Sequence, residues 1–412
     1  MKKVLLIFIA FALIVLPAFA DEILSNDDSL IEDILEESDD FDAMFEDAPD
    51  DVVIEEAPVP KVEQKTENSS ILKLTGSFSG KLGVAGVYDE YNSTGKTKKD
   101  SETEEVFTPG GLIDLSNTLS ISAKPSDIFG VYGSMGAAFS GKFALSVSTL
   151  YLNSLLFDKI YLSLGKKSIS WGNLRIFSTP VLSDSGSGVS CEIRYPWKLG
   201  TLSGIVLYDY NKYGTGASGF TWKNMSFAAA GDITILNTNI NAFVRKNPEP
   251  APNTDKVAEV LTGLELKRTI FGFDTYAQGI VYFEKEFKKV MATGGFYRLW
   301  DSFTPNIGIN IEYRYTFDQT LAADEKTKDK AHSHLINTEF GVKKIGPNKN
   351  MKVGIKWNHD FIKESGNVDI AFIISSLIPY ADWTNGVKIT YNKDRDTPKY
   401  EFGSALSFSL SY

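Results

Sequence analysis

Charged side chains interrupt apolar ones along most of this chain, and they are the residues best placed to do chemistry. Lys81, Asp114, Lys167, Glu192, Arg194, Arg245, Glu265, Lys267, Glu312, Arg314, Glu339, Lys343, Lys352 and Lys356 fall at the positions that intervene in an apolar alternation; nine are basic and five acidic. Buried without partners, each would cost several kcal/mol, so charges in this pattern call for water. Their chemistry is electrostatic: lining a wet passage, with a mild preference for anions that salt would screen. Catalytic patterns are missing. His332, His334 and His359 are the only histidines, and His359-Asp360 is the one pair that could suggest acid-base work. His332-Ser333-His334 would put two imidazoles on one strand face, but no third ligand is evident, so no metal residue is named. With no glycine-rich phosphate loop, no cysteine cluster and no concentrated basic patch, the reading is a non-enzyme without cofactor or nucleic-acid partner.

The elements that would position these charges have a period of two. Ile307, Ile309, Ile311, Tyr313, Tyr315 and Phe317 alternate with Gly308, Asn310, Glu312, Arg314 and Thr316. The same pattern covers Met351 to Asn358, Val260 to Lys267 and Cys191 to Trp197. A soluble sandwich alternates too, so the connections must decide. Tight links at Lys124-Pro125-Ser126-Asp127, Phe157-Asp158-Lys159, Lys198-Leu199-Gly200, Ala230-Gly231-Asp232 and Ile270-Phe271-Gly272 alternate with long polar ones at 92–109, 172–189, 247–256, 319–331 and 393–399. Short links on one side and long on the other predict an all-β, antiparallel, up-and-down transmembrane barrel. Segments start near 71, 111, 128, 142, 159, 190, 201, 220, 233, 258, 271, 289, 305, 332, 349, 367, 384 and 400. That gives about 16–18 strands, wide enough for a water-filled lumen, with both ends on one side. Aromatics near segment ends, among them Tyr88, Tyr151, Trp171, Tyr195, Trp197, Tyr208, Trp300 and Tyr391, suit girdles at the headgroup level.

The first 70 residues differ from the rest. Met1-Lys2-Lys3, an apolar run from Val4 to Leu16 and Pro17-Ala18-Phe19-Ala20 follow the order of a signal peptide, with cleavage expected after Ala20. Residues 21–70 carry 19 acids against Lys61 and Lys65, whereas residues 71–412 carry 38 basic and 34 acidic groups. The overall charge of -11 is therefore concentrated in one segment. Such a segment buries too little apolar surface to order itself, and disorder is the expectation for 21–70. Leu30, Ile31, Ile34, Leu35, Phe41, Met44 and Phe45 recur at helical spacing, so it is read as a solvated spacer or as a docking motif for a periplasmic partner. The domains are thus 1–20, 21–70 and a barrel over 71–412. No apolar run after Ala20 reaches 18 residues, and Cys191 stands alone, so neither helical spans nor an internal disulfide is expected.

The chain ends Tyr400-Glu401-Phe402-Gly403-Ser404-Ala405-Leu406-Ser407-Phe408-Ser409-Leu410-Ser411-Tyr412. This resembles the closing strand of bacterial outer-membrane β-barrels, with Tyr where Phe is most usual. The resemblance implies a strand read by the barrel-assembly machinery and a wall in contact with outer-membrane lipid. Gly165-Lys166-Lys167-Ser168-Ile169-Ser170-Trp171-Gly172 is similar to a Gly-Lys-x-x-x-x-Trp-Gly stretch of several porin families. The acidic leader resembles that of spirochaetal outer-membrane proteins. For the segment from Asn173 to Ser190, an inward fold that narrows the lumen and an exposed loop both stay open; the inward fold would add Arg175 to the lining. The functional expectation is a porin-like channel for passive diffusion of small hydrophilic solutes, and the alternative is a structural or adhesive surface protein with a closed lumen.

Overall fold

The computed structural model describes residues 72–91, 106–172, 174–177, 182–184, 188–214, 219–249, 257–302, 304–321 and 331–412. The expected signal peptide and acidic segment lie outside the described residues. From Leu72 the chain runs through β1 (Leu72–Tyr88), β2 (Phe107–Ser126), β3 (Phe129–Phe139), β4 (Phe143–Leu156) and β5 (Ile160–Lys166). Two short strands, β6 (Ile169–Trp171) and β7 (Leu182–Asp184), pair with each other and with no wall strand. The wall resumes with β8 (Val189–Trp197), β9 (Gly200–Tyr208), β10 (Met225–Ile235), β11 (Thr238–Lys246), β12 (Val260–Ile270) and β13 (Phe273–Phe283). It continues through β14 (Phe287–Trp300), β15 (Asn306–Asp318), β16 (His332–Ile345) and β17 (Met351–Asp360). The last strands are β18 (Ser365–Ile378), β19 (Ala381–Asn392) and β20 (Lys399–Ser411).

Every wall strand pairs antiparallel with its sequence neighbour, β5 with β8 across the inserted hairpin, and β20 returns to β1. The result is a closed 18-stranded barrel with no free edge. At the seam, Tyr412 and Gly76 exchange two backbone hydrogen bonds of 2.8 Å. The Tyr412 ring lies over Gly76 and the Phe408 ring over Gly80, where an added Cβ would meet the ring at 2.3 Å in each case. The terminal aromatics thus use the space that glycine leaves on the outer face.

The observed strand starts follow the sequence expectation within a few residues, with one local correction. Ala230-Gly231-Asp232 is not a turn; it lies inside β10, and the reversal comes at Leu236-Asn237, both with positive φ (51° and 59°). Pairing on both sides overrides the local glycine signal, since Gly231 faces Leu202 and Ala242, and Asp232 accepts the Thr201 N–H at 3.1 Å. The links at one rim are all short. The other rim carries the long loops, but also three short links, Ser140–Lys142, Glu284–Glu286 and Phe361–Glu364. Both described chain ends sit at the short-turn rim.

The alternation sorts the faces. Leu82, Val84, Ile113, Ile193, Leu264, Phe340 and Ile355 project outward and are exposed, while Glu192, Glu265, Glu312, Glu339 and Glu401 on the opposite face are buried. An apolar exterior over strands of this length is what crossing a bilayer by strands requires. Among the described residues no helix is long and apolar enough to cross a membrane.

Candidate functional site: the lumen and its inward hairpin

The charged residues singled out from sequence share the inward face of the wall, except Lys167 and Arg175, which belong to the inserted segment. Lys81 stands opposite Asp114 across β1 and β2. Glu192, 1% exposed, holds both Lys167 and the Arg194 guanidinium, the latter at 2.7 Å. Arg245 donates to Ser226 at 3.1 Å, and Glu265 accepts from Asn241 and Gln278. Lys267 is on the same face of β12, two residues closer to the turn rim. Lys343 and Lys352 face each other across β16 and β17 near that rim.

Between β5 and β8, Arg175, Ile176 and Phe177 lie inside the barrel, and one carboxylate holds them there. Glu312 on β15, fully buried, accepts the backbone N–H groups of Arg175 at 2.6 Å, Ile176 at 3.0 Å and Phe177 at 2.7 Å. Three successive N–H groups converging on one carboxylate form a backbone anion nest, filled here by the chain's own acid. The Tyr276 hydroxyl lies 2.8 Å from both Glu312 and Asn310. Two guanidiniums frame the latch: Arg175 lies 3.5 Å from the Tyr297 ring centroid and Arg314 lies 4.0 Å from that of Phe177.

The base of the hairpin is held by apolar contact, which the sequence reading did not foresee. Ile169 and Trp171 are buried in one cluster with Ile205, Leu207, Phe243, Leu261, Ile280 and Met291. These wall residues face inward, against the expectation that inward positions are polar. Trp171 and Tyr208, expected at a headgroup girdle, are buried instead, Trp171 inside this cluster. The physical reason is tertiary. A hairpin lying on β9–β14 converts that part of the inward face into a protein core.

The rest of the inward face is largely polar, although Leu112 and Ala405 pack together on it and Ile373 is buried there. Direct cross-strand register places Glu339, Lys356, Asp369, Lys388 and Glu401 in one row from β16 to β20, alternating in sign at every step. Lys356 reaches Glu339 at 3.4 Å, Asn310 extends the row onto β15 by donating to Glu339 at 3.2 Å, and Lys399 pairs with Glu401. One step toward the turn rim, Gly308, Gly341, Gly354, Ala371, Gly386 and Gly403 form a second row with almost no side chain. That strip leaves room beside the charges. From β1 to β4 the inward face carries short hydroxyls, with Ser79 and Ser116 at 2.6 Å and Ser134 within 3.5 Å of both Ser120 and Ser148.

Sequence reasoning missed Asp369, Lys388 and Glu401 because each looks ordinary on its own strand; only the register across five strands shows the row. The histidines take no part in the lumen. His332 and His334 meet Tyr315 and Tyr313 on the outer face, and His359 meets Tyr391, while its sequence neighbour Asp360 points inward. His359 and Asp360 therefore face opposite sides of the wall.

No family model and no curated protein matches this sequence. Solved structures do. OccK2 (OpdF) of Pseudomonas aeruginosa aligns at TM-score 0.51 and 9% identity, covering 82% of this chain and 98% of that one. OpdQ of the same organism gives 0.51 and 10% over 82% and 98%. The outer membrane protein OprD of Pseudomonas aeruginosa gives 0.51 and 7% over 82% and 94%. At such identity the likeness is one of fold: the chain has the barrel architecture of outer-membrane porins.

Proposed function

We propose that this protein is an outer-membrane channel through which small hydrophilic solutes diffuse passively, with the inward hairpin setting the bore. The observation that carries the reading is the alternating row from Glu339 to Glu401 beside a nearly side-chain-free strip. Five charges on one wall are stable only with water or counter-charges against them, and an 18-stranded barrel is wide enough to hold that water. The latched hairpin covers β9–β14 and leaves the charged and hydroxyl walls to line the passage. In this reading Lys81, Asp114, Lys167, Arg175, Arg194, Arg245, Lys267, Arg314, Lys343, Lys352 and Lys356 act by field, not by chemistry.

Export through a signal peptide removed after Ala20, contact with outer-membrane lipid and recognition of β20 by the assembly machinery belong to the same proposal. The outward row Phe402, Leu406, Phe408, Leu410 and Tyr412 supports the last point. The long-loop rim then faces outside and the turn rim faces the periplasm. A resemblance to spirochaetal proteins rests on the acidic leader alone. The test is planar-bilayer conductance of residues 21–412 under a salt gradient. Discrete steps with a stable reversal potential support the channel. A silent bilayer from protein whose folding is verified by its heat-dependent gel mobility favours a closed surface protein.

A further inference from the structure

The outer face is hollow between β8 and β12. Cross-strand register puts Ile193, Gly204, Ala229 and Val244 in one row from β8 to β11, and Val206, Phe227 and Lys246 in the outward row nearer the long-loop rim. The middle of the first row stays open, since a Cβ added at Gly204 would meet nothing within 4 Å. The groove that results encloses about 480 Å³, and among the described residues lining it Lys246 alone is charged.

Lys246 ends β11 at the long-loop rim. Its ammonium lies 5.9 Å from the Phe227 ring centroid, and among the described residues no carboxylate pairs with it. Glu249, in the adjoining loop, pairs with Lys223 at 3.4 Å. The exposed Trp222 ring stacks on Phe227 at 5.6 Å, and the exposed Phe220 ring meets Tyr208 edge-on at 5.0 Å. Exposed rings with a cation among them mark the level at which lipid headgroups meet tails. An apolar groove that opens on lipid gains nothing from the hydrophobic effect, because the tails are as apolar as its walls. What fills it restores the dispersion contacts that a void forfeits, and a flexible hydrocarbon chain can follow its floor.

We infer that this groove holds one acyl chain of an anionic phospholipid from the surrounding leaflet, with the headgroup phosphate on Lys246. Charge selects the occupant. A zwitterionic lipid brings its own cation beside Lys246, whereas an anionic one leaves its phosphate free to pair, and one such contact at the membrane surface is a factor of roughly five in affinity. A second copy of the chain fits less well: a two-fold interface would set groove against groove and enlarge the void, and any other contact would bring a convex barrel wall to a concave site. The site rests on the membrane placement proposed above. It does not depend on conductance, since it lies on the side of the wall away from the lumen.

The test uses the full chain purified from membranes in a neutral detergent. The probes are dimyristoyl phosphatidylglycerol and dimyristoyl phosphatidylcholine, which share their tails and differ in net charge. Native mass spectrometry is expected to show a phosphatidylglycerol adduct about fivefold more abundant than the phosphatidylcholine adduct at equal concentration. Gly204→Leu, which fills the open middle of the groove, is expected to lower retention of both lipids by on the order of tenfold. Ala229→Leu serves as an independent filler should the first variant fold poorly. Lys246→Gln is expected to leave phosphatidylcholine unchanged and to erase the preference for phosphatidylglycerol. Retention indifferent to both fillers, or a preference that survives Lys246→Gln, overturns the inference. So does a filler that dissociates an oligomer without changing lipid retention, which would assign the groove to a second copy. Flotation with vesicles separates the two readings: a chain that fails to float refutes the membrane placement, and one that floats but retains no lipid refutes the occupant of the groove alone.

Discussion

Glu312→Ala is the substitution that tests the latch most directly. Glu312 accepts three backbone N–H groups from Arg175, Ile176 and Phe177, with no exposure to solvent. Hydrogen bonds to a charged group contribute about 1.5–3 kcal/mol each, a gross sum of roughly 5–9 kcal/mol. Released donors in a wet lumen find water again, so the net loss is nearer ~3 kcal/mol. That shifts the ratio of latched to released segment by roughly 150-fold. Trp171 and Ile169 remain in their apolar cluster, so the release is confined to the tip around Arg175 while the hairpin base stays seated. Two assays read this. Trypsin added outside reconstituted vesicles should cut after Arg175 in the variant and spare it in the parent, and single-channel conductance should rise. Glu312→Gln, which keeps an acceptor oxygen and loses the charge, should fall between the two. Unchanged trypsin sensitivity and conductance in Glu312→Ala would refute the claim that this carboxylate holds the segment.

The remaining predictions concern the base of the hairpin, the charged row and the outer face. Trp171→Ala removes a buried indole from the cluster with Phe243, Leu261 and Ile280 and should cost ~3–5 kcal/mol of hairpin docking; protease cutting near Lys167 is the readout, with barrel heat-mobility unchanged. Lys356→Ala leaves Glu339 and Asp369 across from each other without the cation between them, and should lower the urea stability of the folded barrel by ~2 kcal/mol and move the reversal potential toward cation preference. The double variant with Glu339→Gln should recover part of that stability, which a double-mutant cycle measures directly. Cys191 lies on the outer face of β8 between Val189 and Ile193, so in vesicles a lipid-soluble maleimide should label it and a charged, water-soluble thiol reagent should not.

Much of the barrel is legible in the order of residues because a strand's two faces are written into alternate positions. Ile307 to Phe317 shows this: alternation sends Ile307, Ile309, Ile311, Tyr313 and Tyr315 to the outer face and Asn310, Glu312 and Arg314 to the inner one, whichever strands lie beside them. The same period assigns Glu192, Glu265, Glu312 and Glu339 to the inward face. Turn chemistry was less dependable. Gly231-Asp232 carries a turn signal and sits mid-strand, whereas Leu236-Asn237 carries little signal and makes the reversal, because ladder pairing on both sides outweighs local preference.

By itself, then, the chain's sequence determined the class of fold, the strand number to within one pair, the closing strand and the separation of an acidic leader from a mildly basic barrel. These follow from local period and composition, which need no knowledge of neighbours. Only the tertiary structure decided the inward placement of Arg175, Ile176 and Phe177, the role of Glu312 as their latch and the inward apolar core around Ile169 and Trp171. It alone assembled Glu339, Lys356, Asp369, Lys388 and Glu401 into one row. Each of these depends on cross-strand register or on contact across the lumen, between residues as far apart as Arg175 and Glu312, and such distances leave no periodic trace along the chain.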